Sequence, residues 1–266
     1  MNTETLRCAL HTFGVLLYRE VMIFKARYWT ITINSLFWVS AVLVPLMFFL
    51  PQMGLRDDFS KFLLPATAAS WGFFDIIANS VTFIGDLTGD RFVDYELILP
   101  IPQWAIFVKI ACANAYRSFS TSFFMLPVGA IVIYAGKGFT FDQINIFKTV
   151  LFLIVVNIFY GFFGLFASSF MYEVSEVRTI WMRVLLPLWW IGGFNHSWMV
   201  MYSYSPTFAY ISLLDPLVYA MEGIRAATLG QEGFISYWYC LFALIGYSIV
   251  FGYFGTKQFQ KRLDCL

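Results

Sequence analysis

Charged residues are scarce in this chain of 266 residues: they make up 12% of it, against 60% hydrophobic residues. A soluble domain of this size covers an apolar core with a charged surface, and the chain has too little charge to do so. The mean hydropathy of +0.71 agrees with this. The composition therefore excludes a soluble globular protein and predicts an all-α membrane protein with several spans.

Catalytic and metal-binding signatures are also missing. The sequence contains no H-E-x-x-H, no G-x-S-x-G and no C-x-x-C. Its few cysteines and histidines stand far apart: Cys8, Cys112, Cys240, Cys265, His11 and His196. We therefore predict no catalytic residue, no metal site and no enzymatic activity of its own.

The nucleotide-binding loop G-x-x-x-x-G-K-[ST] is absent as well, so the chain is not expected to bind and hydrolyse ATP by itself. It has no run of five basic residues, and we predict no nucleic-acid partner. Transport against a gradient by this chain would need energy from another chain or from an ion.

Six apolar runs have the length needed to cross about 30 Å of hydrocarbon. The predicted spans are residues 31–50, 62–84, 107–135, 147–170, 179–201 and 234–255. Residues 3–27 precede them with apolar side chains at three- and four-residue spacings, which predicts an amphipathic helix in the membrane interface. Lys109 and Arg117 mark the cytoplasmic end of the third span, either exposed to water or packed against protein. The distribution of lysine and arginine places both termini in the cytoplasm.

A polar segment, residues 84–107, lies between the second and third predicted spans. Its acidic residues share one helix face and its apolar residues share another. The two faces carry Asp86, Asp90 and Asp94, and Phe92, Tyr95 and Leu99. Pro100 and Pro102 then end the helix. We predict a helix over residues 86–99 on the cytoplasmic side, where a soluble partner can reach it.

Residues 202–233 are too apolar for a free loop, yet prolines divide them into pieces too short to cross the membrane. We predict a re-entrant helical hairpin over residues 205–230 that enters the outer leaflet and returns. Asp215, before Pro216, is expected to cap its second helix. Glu222 and Arg225 are three residues apart and are expected to pair.

Asp75 is an acid within a predicted span, which makes it a functional candidate. The sequence leaves two interpretations open: a structural, hydrogen-bonded or dimer-facing residue, or the coupling site of an ion-driven carrier. Deeply placed aromatic residues either pack the core or line a path on which sugar rings stack. With Asp75, this candidate substrate path comprises Trp71, Phe74, Tyr160 and Trp189.

Together these features resemble the membrane subunit of type-2 ABC exporters over nearly the whole chain. The segment Asp94-Tyr-Glu-Leu-Ile-Leu-Pro-Ile-Pro-Gln-Trp104 is similar to that family's glutamate, leucine-rich turn and proline. The segment from Asp215 to Gly230 is similar to its N-P-L-x-x-x-x-E-x-x-R pattern, and Leu17-Tyr-Arg-Glu20 to its entry helix. The matching positions are Glu96, Leu97, Leu99, Pro100, Pro216, Leu217, Glu222 and Arg225.

The resemblance implies a permease subunit that forms a homodimer, or pairs with a similar permease, in the lipid of a bacterial inner membrane. A separate cytoplasmic ABC ATPase would bind ATP and magnesium, so this chain would hold no cofactor. The ATPase would dock on the helix over residues 86–99. The expected docking residues are Asp86, Asp90, Arg91, Asp94, Glu96 and Leu99, with secondary contacts from Tyr18, Arg19, Glu20 and the loop Glu173–Arg178.

Within this interpretation, the compact chain and its aromatic spans favour export of a glycan, a lipid-linked glycan or another amphipathic compound. A drug, lipid or small-peptide exporter is the alternative. An ion-coupled secondary carrier that uses Asp75, and a membrane-embedded enzyme, are further alternatives from other classes.

Overall fold

The computed structural model describes residues 3–49, 51–54, 58–89 and 91–263. These residues are predominantly helical, and no strand occurs among them. Four of the described helices are long and apolar enough to cross a membrane, as expected of an integral membrane protein. The four candidate spans are Arg7–Phe48, Gln103–Lys137, Ile146–Ser168 and Tyr237–Arg262.

The α-helices are numbered in chain order. They are α1 (Thr3–Phe48), α2 (Phe59–Thr88), α3 (Phe92–Leu97), α4 (Gln103–Lys137), α5 (Ile146–Ser168), α6 (Val174–Ile180), α7 (Leu186–Ile191), α8 (Trp198–Tyr204), α9 (Pro206–Ser212), α10 (Pro216–Thr228) and α11 (Tyr237–Leu263). A short 3-10 helix covers Pro51–Met53, and a π-helical turn, Trp181–Leu185, joins α6 to α7.

The predicted interface helix and first span form one continuous helix, α1, of 46 residues. A helix of this length is about 69 Å long, more than twice the hydrocarbon thickness of about 30 Å. The predicted separation near residue 28 is wrong because neither proline nor glycine lies there to end the helix. Pro45, the proline inside α1, comes three residues before its end.

The segment predicted as a fifth span, residues 179–201, is not one helix. It passes through α6, the π-helical turn and α7, then leaves helical geometry before α8 begins at Trp198. Gly193 has a φ of +82°, a backbone conformation that favours glycine. The break therefore has a local cause in the sequence. Arg225 of α10 also stabilises it, as described below.

The predicted helix over residues 86–99 is also divided. The second predicted span continues as α2 to Thr88, and the chain turns before α3 begins at Phe92. Arg91 adopts the left-handed conformation with a φ of +52°. Asp90 lies outside the described residues. Asp86 and Asp94 lie on different helices and therefore do not share one helix face.

Two short helices, α9 and α10, occupy the range of the predicted hairpin. The Asp215 carboxylate accepts a hydrogen bond of 2.9 Å from the Leu217 amide, and Pro216 fills the first helical position. The prediction of Asp215 as a helix cap is confirmed.

The helix α4 packs against α1, α2 and α5, while α5 also packs against α11. The helix α10 lies against α2, α5 and α11, so it closes one end of this group. The main apolar core forms between these helices and includes Phe73, Phe152, Phe159 and Tyr160. The end of α2 and the start of α4 lie at α3, while the start of α2 lies at α10. Two candidate sites therefore lie at opposite ends of the bundle.

Glycine at position 223 allows α10 to pack closely. A Cβ added there would overlap the Phe152 ring and lie 2.8 Å from the Cys240 Cβ. We expect Gly223→Ala to lower the free energy of unfolding by about 1–3 kcal/mol, because buried neighbours would have to move. Gly246→Ala is the matched control, since a Cβ there meets nothing within 4 Å in the same bundle.

The control should unfold at or above the wild-type temperature, because alanine favours a helix over glycine by about 1 kcal/mol. Thermal unfolding of the protein in lipid nanodiscs measures both variants. Equal unfolding temperatures for the two variants would contradict the packing described for α10.

Candidate functional site

The short helix α3 is fixed at its start by an acid from the preceding helix. The two carboxylate oxygens of Asp86 accept hydrogen bonds of 3.0 Å each from the backbone amides of Phe92 and Val93. These amides begin a helix and lack partners within it. Asp86 therefore caps α3, and we assign it this role in place of a freely exposed docking residue.

Glu96 of α3 is the centre of a partly buried ion cluster, formed by Arg19, Glu20, Glu96 and Lys109. The Lys109 ammonium lies 2.8 Å from one Glu96 oxygen, and the side chains of both residues are 4% exposed. Arg19 also donates a hydrogen bond to Glu96. Glu20 accepts from Arg19 at 2.9 Å and from Lys109 at 3.2 Å. Two acids and two bases neutralise each other and connect α3 to α1 and α4.

This burial changes the expected role of Glu96. A docking residue has to be exposed, whereas the Glu96 carboxylate is enclosed by its partners. Leu99 is also partly enclosed, because it packs against the apolar cluster of Leu16, Val93, Ile101 and Ile106. Neither side chain is presented to a partner as the sequence suggested. The physical reason is that the turn before α3 rotates this face towards the bundle.

The outward side of α3 is apolar. Phe92 is 49% exposed, Tyr95 69% and Ile98 81%. The Arg19 guanidinium lies 4.9 Å from the centroid of the Phe92 ring, so this ring extends over the ion cluster. We call Phe92, Tyr95 and Ile98 the α3 face. Exposed apolar groups beside a charged rim are typical of a surface that binds another protein.

Charged residues lie beside the α3 face. Arg91 and Asp94 form an exposed ion pair of 2.8 Å. Tyr18 of α1, which precedes Arg19 of the ion cluster, is 61% exposed. The predicted loop Glu173–Arg178 forms the start of α6. Val177 packs with Ile84 of α2, so this segment lies at the same end of the bundle as α3. The structure thus brings most of the predicted contact region to one end.

A second buried charge pair lies at the opposite end, in α10. Arg225 is completely buried and donates hydrogen bonds to the carbonyls of Gly193, at 2.7 Å, and His196, at 3.1 Å. It also donates to the carbonyl of Phe194. These carbonyls belong to the break after α7, so Arg225 supplies the donors that the missing helix turn would have provided. We call this arrangement the Arg225 clamp.

Glu222 completes the Arg225 clamp. It lies 3.8 Å from the Arg225 guanidinium, as the sequence predicted, and accepts hydrogen bonds from the amides of Trp198 and Ile235. Each ion makes burial of the other tolerable.

The candidate substrate-path residues lie in or beside one aromatic cluster. Phe74 is 5.3 Å from Trp189 between ring centroids, and Tyr160 is 6.1 Å from Phe73, which also contacts Phe74. Trp71 packs against the same core. The structure therefore brings these side chains together. At this position they also pack the apolar core.

Asp75 is close to polar side chains of α4. It accepts a hydrogen bond of 2.8 Å from Ser118. The neighbouring Arg117 donates to Asn79 of α2 at 2.8 Å. These two bonds join α2 to α4 and give Asp75 a structural partner.

No protein-family model, curated protein or solved structure matches this chain.

The ion cluster generates a stability prediction. We expect Lys109→Met to lower the free energy of unfolding by about 3–5 kcal/mol, because the buried Glu96 carboxylate would lose its buried base and share Arg19 with Glu20. Arg91→Met removes a base from an exposed pair in the same region and should cost about 1 kcal/mol or less. Denaturant unfolding in nanodiscs measures both.

The double variant Glu96→Gln/Lys109→Met tests whether the two side chains act as a pair. Its loss of stability should be smaller than the sum of the two single losses, because each single variant leaves a buried charge without its main partner. Additive losses would contradict the pairing.

Proposed function

We propose that this chain is the transmembrane subunit of a type-2 ABC exporter, powered by a separate cytoplasmic ATPase. The observation that carries the proposal is the α3 face, an exposed apolar surface on a short helix that a partly buried ion cluster fixes to two long helices. The sequence resemblance to type-2 permeases supports it independently.

In this proposal the bundle crosses the membrane six times, through the second half of α1, through α2, α4 and α5, through α6 with α7, and through α11. Helix α2 has 30 residues and is long enough to cross, at about 45 Å, although its polar side chains lower its hydropathy. Helices α9 and α10 form the re-entrant hairpin. Both termini lie in the cytoplasm of a bacterial cell, and the membrane is the inner one.

The ATPase would supply ATP and Mg²⁺ binding, and this chain would contribute no catalytic group. Closure of the ATPase pushes on the α3 face. The ion cluster passes this displacement to α1 through Arg19 and Glu20, and to α4 through Lys109. The Glu96–Lys109 pair is buried and resists separation, so α3 moves with α4 rather than apart from it.

Two copies of the chain would form the transport path between them. We propose a glycan, a lipid-linked glycan or another amphipathic compound as the substrate, which the compact chain and its aromatic-rich spans favour. Export of a drug, lipid or small peptide is the alternative within the same class. For an ion-coupled carrier, Asp75 would have to change its protonation during transport, and its hydrogen bond to Ser118 supports a structural role instead.

The docking proposal predicts a specific loss of partner binding. Tyr95→Glu places a charge in the α3 face and should reduce co-purification of a P-loop ATPase at least about tenfold, because an apolar contact is replaced by a desolvated charge. Stability should be unchanged, since Tyr95 is 69% exposed.

Tyr204→Glu is the matched control. Tyr204 is 88% exposed in α8, at the end of the bundle opposite α3 and outside the predicted spans. The tagged wild-type chain and both variants are purified from the native cells, and the ATPase is identified by its sequence and by ATP hydrolysis. Retained ATPase in Tyr95→Glu, or equal loss in Tyr204→Glu, would count against docking on α3.

A further inference from the structure

A cavity of about 580 Å³ lies at the end of the bundle opposite α3. It is formed where α2 begins, beside the loop between α4 and α5, the break before α8 and the end of α10. Its volume falls within the range of small-molecule sites, about 300–1,000 Å³. The function proposed above does not use it.

Three aromatic rings form one side of this cavity. Phe62 lies between Phe59 and Phe234, with ring centroids 5.8 Å and 6.3 Å away and ring planes inclined by only 22° and 24°. The Arg225 guanidinium lies 3.8 Å from the Phe62 ring centroid and holds this ring in place. The result is a pre-formed apolar wall of three stacked rings.

Polar side chains line the other sides of the cavity. Gln143 and Asn195 each carry an amide that can donate and accept hydrogen bonds, and Thr228 carries a hydroxyl that can do both. Asp142 contributes a carboxylate, which accepts one hydrogen bond of 2.8 Å from Thr140. A ligand that fits these walls has both hydrogen-bond donors and acceptors around an apolar face.

The charges at this cavity argue against a simple ion as its ligand. The Asp142 carboxylate disfavours anionic groups such as phosphate beside it. The Lys61 ammonium lies 5.6 Å from the Phe141 ring and 5.8 Å from the Phe139 ring, where it disfavours a second cation. An uncharged polar ligand meets neither obstacle.

We propose that this cavity binds a saccharide unit. A sugar ring has C–H groups on its faces and hydroxyl groups around its edge. Its C–H groups can pack against the wall of Phe59, Phe62 and Phe234 while its hydroxyls bond to Asp142, Gln143 and Asn195. If the chain exports a glycan, as the proposed function holds, the cavity is a site on the outer side that the emerging glycan contacts. The role of this site in export rests on the proposed function. Saccharide binding can be measured whether or not the chain is an exporter.

The test uses the full chain in nanodiscs of phosphatidylethanolamine and phosphatidylglycerol, prepared without glycoside detergents because their sugar headgroups would compete. Saturation-transfer NMR and calorimetry measure binding of the methyl glycosides of glucose, galactose and N-acetylglucosamine, and of maltose. Tetraphenylphosphonium and inorganic phosphate serve as cationic and anionic probes. We expect saturable binding of at least one saccharide.

The variant Asp142→Asn/Gln143→Ala should weaken that binding about tenfold or more, because it alters two hydrogen-bonding groups. Both side chains are exposed in a loop, so the fold should be preserved. Gln52→Ala is the matched control, since Gln52 is exposed at the same end and does not line the cavity.

Three results would overturn the proposal: no saccharide in the panel binds saturably, only one of the charged probes binds, or the double variant binds like the Gln52→Ala control. ATPase co-purification with the same variants separates this proposal from the function above. Intact ATPase binding without saccharide binding would reject the cavity alone, and the reverse result would reject the docking alone.

Discussion

Glu96 is buried where α3 meets the bundle, and a carboxylate that water cannot reach needs a positive partner within the chain. Lys109 and Arg19 meet this requirement, and in doing so they determine which side of α3 faces inward. The α3 face remains outside as a consequence. A helix of six residues would not hold a fixed orientation through its own hydrogen bonds, so the ion cluster is what makes α3 a defined surface.

The same constraint shapes the opposite end of the molecule. Arg225 is completely buried, and its donors are satisfied by carbonyls that a continuous helix would have kept for itself. The break after α7, the position of α10 and the aromatic wall at Phe62 therefore depend on one side chain. Glu222 balances its charge and secures the beginning of α8. Buried charge thus organises both ends, while apolar packing fills the length between them.

Periodicity and composition predicted most of the helices, the cap at Asp215 and the Glu222–Arg225 pair, because each depends on residues close in sequence. They did not predict the ion cluster, in which Glu96 and Lys109 are 13 positions apart across a turn and a pair of prolines. They also assigned Glu96 and Asp86 to an exposed face. That assignment assumed one straight helix, but the chain turns at Arg91 and divides the segment between α2 and α3. The break after α7 has a local sign in Gly193, but its carbonyls are satisfied by Arg225, which is 29 residues beyond His196, so residues 179–201 alone did not show how it is stabilised.

Photo-crosslinking from position 95 tests ATPase docking on α3 most directly. A benzoyl-phenylalanine introduced in place of Tyr95 is irradiated in native membranes, and the products are identified by mass spectrometry. If the chain is powered through α3, a cross-link to an ATP-binding cytoplasmic subunit forms from position 95 and is absent when the same group is placed at position 134. Cross-links to lipid alone, or the same products from both positions, would contradict the claim that α3 is the surface through which this chain is powered.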